Sequence, residues 1–478
     1  MANTPFFTTM LAQGGVIVEE MPKFDLEPYV QNYQGPTKFD RMLLIGRSSV
    51  PLHIDALKAA IAEAKKGKDV KKYQEAWGYL RLASPNDPDA VFDQNWVDKT
   101  TSTNAATFKR LESEMKVYKN NLVKDSIRMA HEEIGRHLEE TGDLPGATES
   151  FTLMRPDVSS AKHLVQLGKH LARVGIQRRE WASVLAQLSK ITGLQDKDEE
   201  KLNLPYVRAL SGLALLNQDK LDAAAKSFLE VGSGVAAFTS GAGPASASGA
   251  AGSASASASP SVASMTSLTD GILTANDVAV YGGLLALATM DRADLQKRVL
   301  ENNSFRAFLE LEPHVRRAIS QFINGRYKAC LATLASYRTD WKLDLFLQKH
   351  IDGILAQIRR KCITSYLAPF SIALFTNMDE AFSAPGESIE KELTTMIQTG
   401  VLSAQVDSIN KLVRIKKDAG RNKMQKDAIA SITKFEADSI DRLRRTNIIA
   451  AGLEIRTAKP IATTSDYSNV WDASRVAA

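Results

Sequence analysis

The sequence predicts an all-α array of helical hairpins followed by a small winged-helix module and one long C-terminal helix. Three observations predict it. Ala and Leu are abundant while aromatic residues make up only 7% of the 478-residue chain, a bias toward helix formers. Apolar residues recur at three- and four-residue steps through most of residues 52–230 and again from 274. Near residue 400 that periodicity gives way to two short β-prone runs, 401-VLSAQV-406 and 411-KLVRI-415, joined by a polar turn.

Residues 1–50 form an irregular N-terminal segment, interrupted by Pro22, Pro28 and Pro36 and closed by Pro51. Phe24, Tyr29, Tyr33 and Phe39 fall within sixteen residues of it. That density marks a surface that packs either on its own domain or on a partner. Residues 51–230 are N-terminal helical repeats. The run 52–83 divides into two helices near Gly67, residues 84–106 read as a loop or weak element, and 107–140 is helical again. Gly135, Gly168 and Gly212 each precede, by seven positions, the turn residues Gly142, Gly175 and Asp219. Ala147 with Phe151, and Ala224 with Phe228, follow the first and third turns, while Trp181 and Leu185 stand in the slipped middle copy. A small residue admits the neighbouring helix and the alanine–aromatic pair packs the returning one, a degenerate tetratricopeptide-like repeat.

Residues 231–269 carry no charge over thirty-nine positions and are dominated by Gly, Ala and Ser. Such a segment cannot bury enough surface to offset chain entropy, so a disordered insert interrupting the helical stack is expected. Helical repeats resume over 270–375, where Ala318, Gly325, Cys330 and Leu334 repeat the earlier spacing. Residues 376–417 supply the winged-helix part: Ser388 caps a helix that Gly400 stops, and the two β-prone runs form the wing. One helix over 418–452 and a loose tail over 453–478 complete the chain.

The chemistry an enzyme needs is missing from the motifs. His131 and His137 are six positions apart, about 600° around a helix, so they cannot share a metal. There is no C-x-x-C, G-x-S-x-G, phosphate loop or dinucleotide fingerprint. The expectation is no enzyme, no cofactor and no metal. Two cysteines and the absence of a long apolar run or a basic-flanked leader point to a reducing compartment and no membrane span. A winged helix raises nucleic acid as an alternative partner. It is disfavoured because the recognition-helix candidate, 389-IEKELTTMIQTG-400, carries two acids against one lysine.

Four stretches carry a family resemblance: 24-FDLEPYVQNYQGPTKFDRMLLIG-46, 130-AHEEIGRHLEETGDLPGATESF-151, 308-FLELEPHVRRAISQFINGRYKACLATL-334 and 392-ELTTMIQTGVLSAQVDSINKLV-413. Together they resemble the PCI family, found in the proteasome lid, the COP9 signalosome and translation initiation factor three. The aromatic N-terminal stretch favours the signalosome branch over the paralogous lid subunit. The resemblance implies a non-catalytic scaffold, partnered by other signalosome subunits of PCI and MPN types, in the nucleus and cytoplasm. That complex removes Nedd8 from cullin–RING ubiquitin ligases, whose components are further partner candidates for the outward repeats. It also implies that winged-helix modules join through edge strands, placing Val401, Ala404, Val406, Leu412, Val413 and Ile415 at an interface. The terminal helix would enter an intersubunit bundle through Ile429, Ile432, Phe435, Ile440 and Leu443.

Overall fold

Short polar side chains start several of the helices. Asp69 accepts the backbone N–H groups of Lys71 and Lys72, Asp143 that of Gly146, and Ser160 that of His163. Thr274 and Asp277 form a reciprocal capping box. A computed structural model of the chain describes residues 5–121, 124–193, 197–241, 271–382, 388–416 and 420–453. The N-terminal helices are α1 (Pro5–Ala12), α2 (Leu26–Gln31), α3 (Gly35–Ser48), α4 (His53–Lys66) and α5 (Val70–Ala83). They are followed by α6 (Gln94–Asn121), α7 (Lys124–Thr141), α8 (Leu144–Leu153), α9 (Ala161–Gln177), α10 (Trp181–Gly193), α11 (Lys197–Leu216) and α12 (Leu221–Gly241).

The N-terminal segment is more regular than its prolines suggest. Pro36 lies in the first turn of α3, where its missing N–H would have had no partner, so it starts a helix. The stretch 84–106 is likewise partly helical, because α6 begins at Gln94. The charge-free insert starts later than its composition indicates: Val231 is fully buried and the helical backbone of α12 continues to Gly241. The rest of that insert, 242–269, and the tail from residue 454 lie outside the described residues.

The small-residue contacts of the repeat are where the spacing places them. A Cβ at Gly135 would lie 2.5 Å from Phe151 Cε1, and one at Gly212 would lie 2.9 Å from Phe228 Cε2. The middle copy departs from its expected partners. Gly168 faces Ile191 and Gly175 faces Val184, while Trp181 and Leu185 are only partly buried. Gly175 is inside α9; the reversal falls four residues later at Arg179, with φ +61°. Gly135→Ala should therefore destabilise the chain by about 1–3 kcal/mol through overpacking against Phe151, read as a lowered denaturation midpoint without loss of helical ellipticity.

Beyond the insert come α13 (Ala275–Thr289), a short turn into a π-helix (Leu295–Leu300), α14 (Asn303–Leu309), α15 (Pro313–Ile323), α16 (Tyr327–Lys342) and α17 (Ile351–Leu367). One continuous core runs from Val165 in α9 to Val413 in the wing. It includes Cys330 and Cys362, both buried free thiols; a hydrogen bond to Cys330, with burial, pushes the Cys362 thiol up. A second core joins Phe7, Leu57, Tyr73 and Leu80 near the N-terminus.

The winged module holds β1 (Ile372–Leu374), α18 (Phe375–Phe382), α19 (Glu390–Gln398), β2 (Ala404–Asp407) and β3 (Leu412–Ile415). The sheet order is β1-β3-β2, antiparallel throughout, with Ala373 opposite Val413 and Val406 opposite Val413 on the other side. Gly400, at φ +74°, ends the segment after α19 as its sequence implies. The last element, α20 (Gly420–Ala450), is a single 31-residue helix.

Candidate assembly surface

The three-stranded sheet has two outer edges, and β3 lies on neither. Ser403 accepts the Lys416 N–H at 2.9 Å, so in the β2–β3 ladder Gln405 and Asp407 turn their backbone groups toward β3. Ala404 and Val406 then direct theirs outward. On the other side Ser371 accepts the Ile415 N–H and Phe375 donates to the Lys411 carbonyl. By the same alternation Ala373 bonds inward to Val413, and Ile372 and Leu374 face outward.

This corrects the reading of Val413 as an edge residue. It is fully buried and its backbone is spent within the sheet. Leu412 and Ile415 share that central strand and are half-buried. Ala404 is buried and Val406 half-buried, yet their outward backbone groups leave the β2 edge unpaired among the described residues. Val401 is exposed. A groove lined by Thr394, Ile397 and Gln398 of α19 runs beside β2 and the wing. The other edge escaped the sequence reading because β1 is only three residues long. Exposed Phe370, Ile372 and Leu374 are its signal.

Helix α20 carries its apolar residues uncovered. Phe435 is 73% exposed, Ile432 and Leu443 64%, Ile429 62% and Ile440 42%. Met424 and Ile449 are exposed as well. A helix in water is held chiefly by packing of an apolar face, and this face has none from the described residues.

The N-terminal aromatics are turned inward. Phe39 and Tyr33 are buried, Tyr29 is half-buried, and Phe24 stacks on Tyr29 at 4.6 Å. They therefore pack on their own chain. What they enclose has no periodic signature and was missed: Arg41, on α3, is fully buried. Its Nη1 donates to Asp344 Oδ2 at 2.6 Å and to the Tyr29 hydroxyl at 2.6 Å. Its Nη2 reaches Asp277 Oδ2 at 3.2 Å, and the Tyr33 ring lies 4.0 Å beneath the guanidinium. Asp277 also accepts from the Tyr33 hydroxyl, and Asp344 from the Tyr281 hydroxyl, both at 2.7 Å. Burial raises Asp277 above the usual carboxylate range, against the pull of Arg41. Burial acts on Asp344 in the same sense, but Arg41 and the Tyr281 hydroxyl outweigh it and hold that carboxyl low. Asp344 is thus the firmly ionised partner. The cluster locks the N-terminal segment to α13 and the α16–α17 junction.

Among the described residues no group of three His, Cys, Asp or Glu could hold a metal ion. No described helix is long and apolar enough to cross a membrane.

Residues 93–243 match the family described as 26S proteasome subunit RPN7, and residues 334–417 match the PCI domain. Likeness over nearly the whole chain is to COP9 signalosome complex subunit 1. The protein of that name from Neurospora crassa is 43% identical over 455 residues, covering 95% of this chain and 93% of its own. The one from Emericella nidulans is 39% identical, covering 92% and 85%, and that from Arabidopsis thaliana 28%, covering 91% and 92%. With the helical repeats, the winged module and the long terminal helix in place, the chain belongs to the COP9 signalosome subunit 1 family of PCI-domain proteins.

Proposed function

We propose that this chain is a non-catalytic scaffold of a COP9 signalosome, joined to PCI- and MPN-type subunits through its winged-helix edge and through α20. The observation that carries this reading is the 31-residue helix whose apolar side chains lie open. An uncovered face of that size is the signature of an interaction surface. The complex so organised would remove Nedd8 from cullin–RING ligases, with catalysis in another subunit and residence in the nucleus and cytoplasm. The match of residues 93–243 to the lid subunit family favours one second reading, membership of the proteasome lid.

Purification of the tagged full chain from its own cells tests both. Stoichiometric signalosome subunits support the proposal, lid subunits replace it with the second reading, and a lone monomer overturns both. Proline substitutions separate edge from centre. Val406→Pro removes an outward N–H and should leave the melting temperature unchanged while lowering incorporation into the complex severalfold. Val413→Pro removes an inner ladder bond and should unfold the wing itself, lowering the melting temperature. Equal assembly of Val406→Pro and the native chain would remove the β2 edge from the interface.

A further inference from the structure

The stripe of α20 formed by Ile429, Ile432, Ile440 and Leu443 holds one charged residue, Glu436. Ile429, Ile432, Ile440 and Leu443 stand seven and four positions before, and four and seven positions after, Glu436. At those spacings the four apolar side chains share a face with the carboxylate and surround its base. The other acids of the described helix are matched by cations one turn away. Asp427 has Lys423 four positions before it, and Asp438 has Lys434 and Arg442 at the same distance on either side. Asp441 is bonded to Arg444 at 3.3 Å. Glu436 has Ile432, Thr433, Ser439 and Ile440 at its corresponding positions, so its own helix offers it no counter-charge. Its side chain is exposed, and among the described residues its carboxylate takes part in no side-chain hydrogen bond or ion pair.

We infer that Glu436 sets the register of the intersubunit bundle by pairing with an arginine or lysine of the partner-subunit helix that covers this face. This rests on the proposed bundle and names the chemistry of its occupant. A carboxylate taken out of water among isoleucines must be neutralised by a positioned cation. A single charged position in a seam otherwise uncharged between Ile429 and Leu443 admits the one alignment that supplies such a cation and penalises the others. The same residue rejects a second copy of the chain aligned at this level, which would bring two carboxylates together.

The test uses the full chain reconstituted with the other subunits. Glu436→Lys should melt like the native chain, since its carboxylate makes no side-chain bond among the described residues, but its incorporation should fall at least tenfold. Reversing one cationic residue of a partner's terminal helix to Glu should restore it. Glu436→Leu should be incorporated with a weaker dependence on salt than the native chain. Native-level incorporation of Glu436→Lys overturns the inference, and so does failure of every single reversal to restore assembly. Deletion of 420–453 separates this from the broader reading. If the deletion abolishes assembly while Glu436→Lys is native-like, only the register role falls; if the deletion assembles normally, the bundle itself falls.

Discussion

Replacing Arg41 with alanine should destabilise the folded chain by about 3–5 kcal/mol, the range for removing one partner of a buried ion pair. The guanidinium is fully buried and serves two carboxylates, Asp277 and Asp344, that come from elements 236 and 303 positions along the chain. Deleting it leaves both in an apolar surround with only hydroxyl and backbone donors. The Tyr29, Tyr33 and Tyr281 hydroxyls are themselves pushed up by burial and stay protonated, so they can donate but supply no positive charge.

The pH dependence has a defined sign. Asp344 is held below its ordinary value, so in the native chain its contribution is present above about pH 4 and fades as pH falls through the lower folded value. Asp277 is raised, so its ionised form is a cost near neutrality that protonation relieves. Without Arg41 both carboxyls lose their attractive partner and both costs are relieved by acid. The stability gap between Arg41→Ala and the native chain should therefore narrow as pH is lowered from 8 toward 5. Denaturant midpoints across that range measure it; a gap that is small or independent of pH would show that the cluster is not a buried charge network. Arg41→Met combined with Asp277→Asn and Asp344→Asn should recover part of the loss, because no charge is then left unpaired.

The contrast between Arg41 and the repeats explains what was legible in the sequence. Gly135 and Phe151, or Gly212 and Phe228, are sixteen residues apart and belong to adjacent helices, so spacing alone announces their contact. Arg41 sits between Asp40 and Met42 in a helix, and no local pattern distinguishes it from a solvated arginine. Its partners declare themselves only once the chain has closed. Pro36 misled for the opposite reason: a proline ends a helix in its interior but begins one in its first turn, and composition cannot tell these apart. The β-prone run 411–415 identified a strand, yet whether that strand is central or peripheral depends on β1, three residues whose run is too short to register. The Gly168 copy slipped because its reversal uses Arg179 in a left-handed conformation that glycine more commonly supplies. For α20 the pattern of apolar residues was visible, while their exposure could be learned only from the packed chain.

Deleting residues 420–453 should leave the melting temperature of the isolated chain unchanged and abolish its assembly. Both halves follow from the same exposures. Ile429, Ile432, Phe435, Ile440 and Leu443 contribute nothing to the internal cores, so their removal costs the fold nothing. Covering such side chains is worth about 1.5–3 kcal/mol each, on the order of 10 kcal/mol for the five before the entropy of association is subtracted. An interface losing that much would not survive at cellular concentrations. Hydrogen exchange supplies the complementary reading. A 31-residue helix without tertiary support among the described residues should exchange its amides rapidly in the free chain and become protected on assembly, while the amides of α13, buried at the centre of the core, stay slow in both states. Protection of α20 already complete in the isolated chain would mean that the helix finds its cover intramolecularly, and the deletion would then lower the melting temperature instead of breaking the complex.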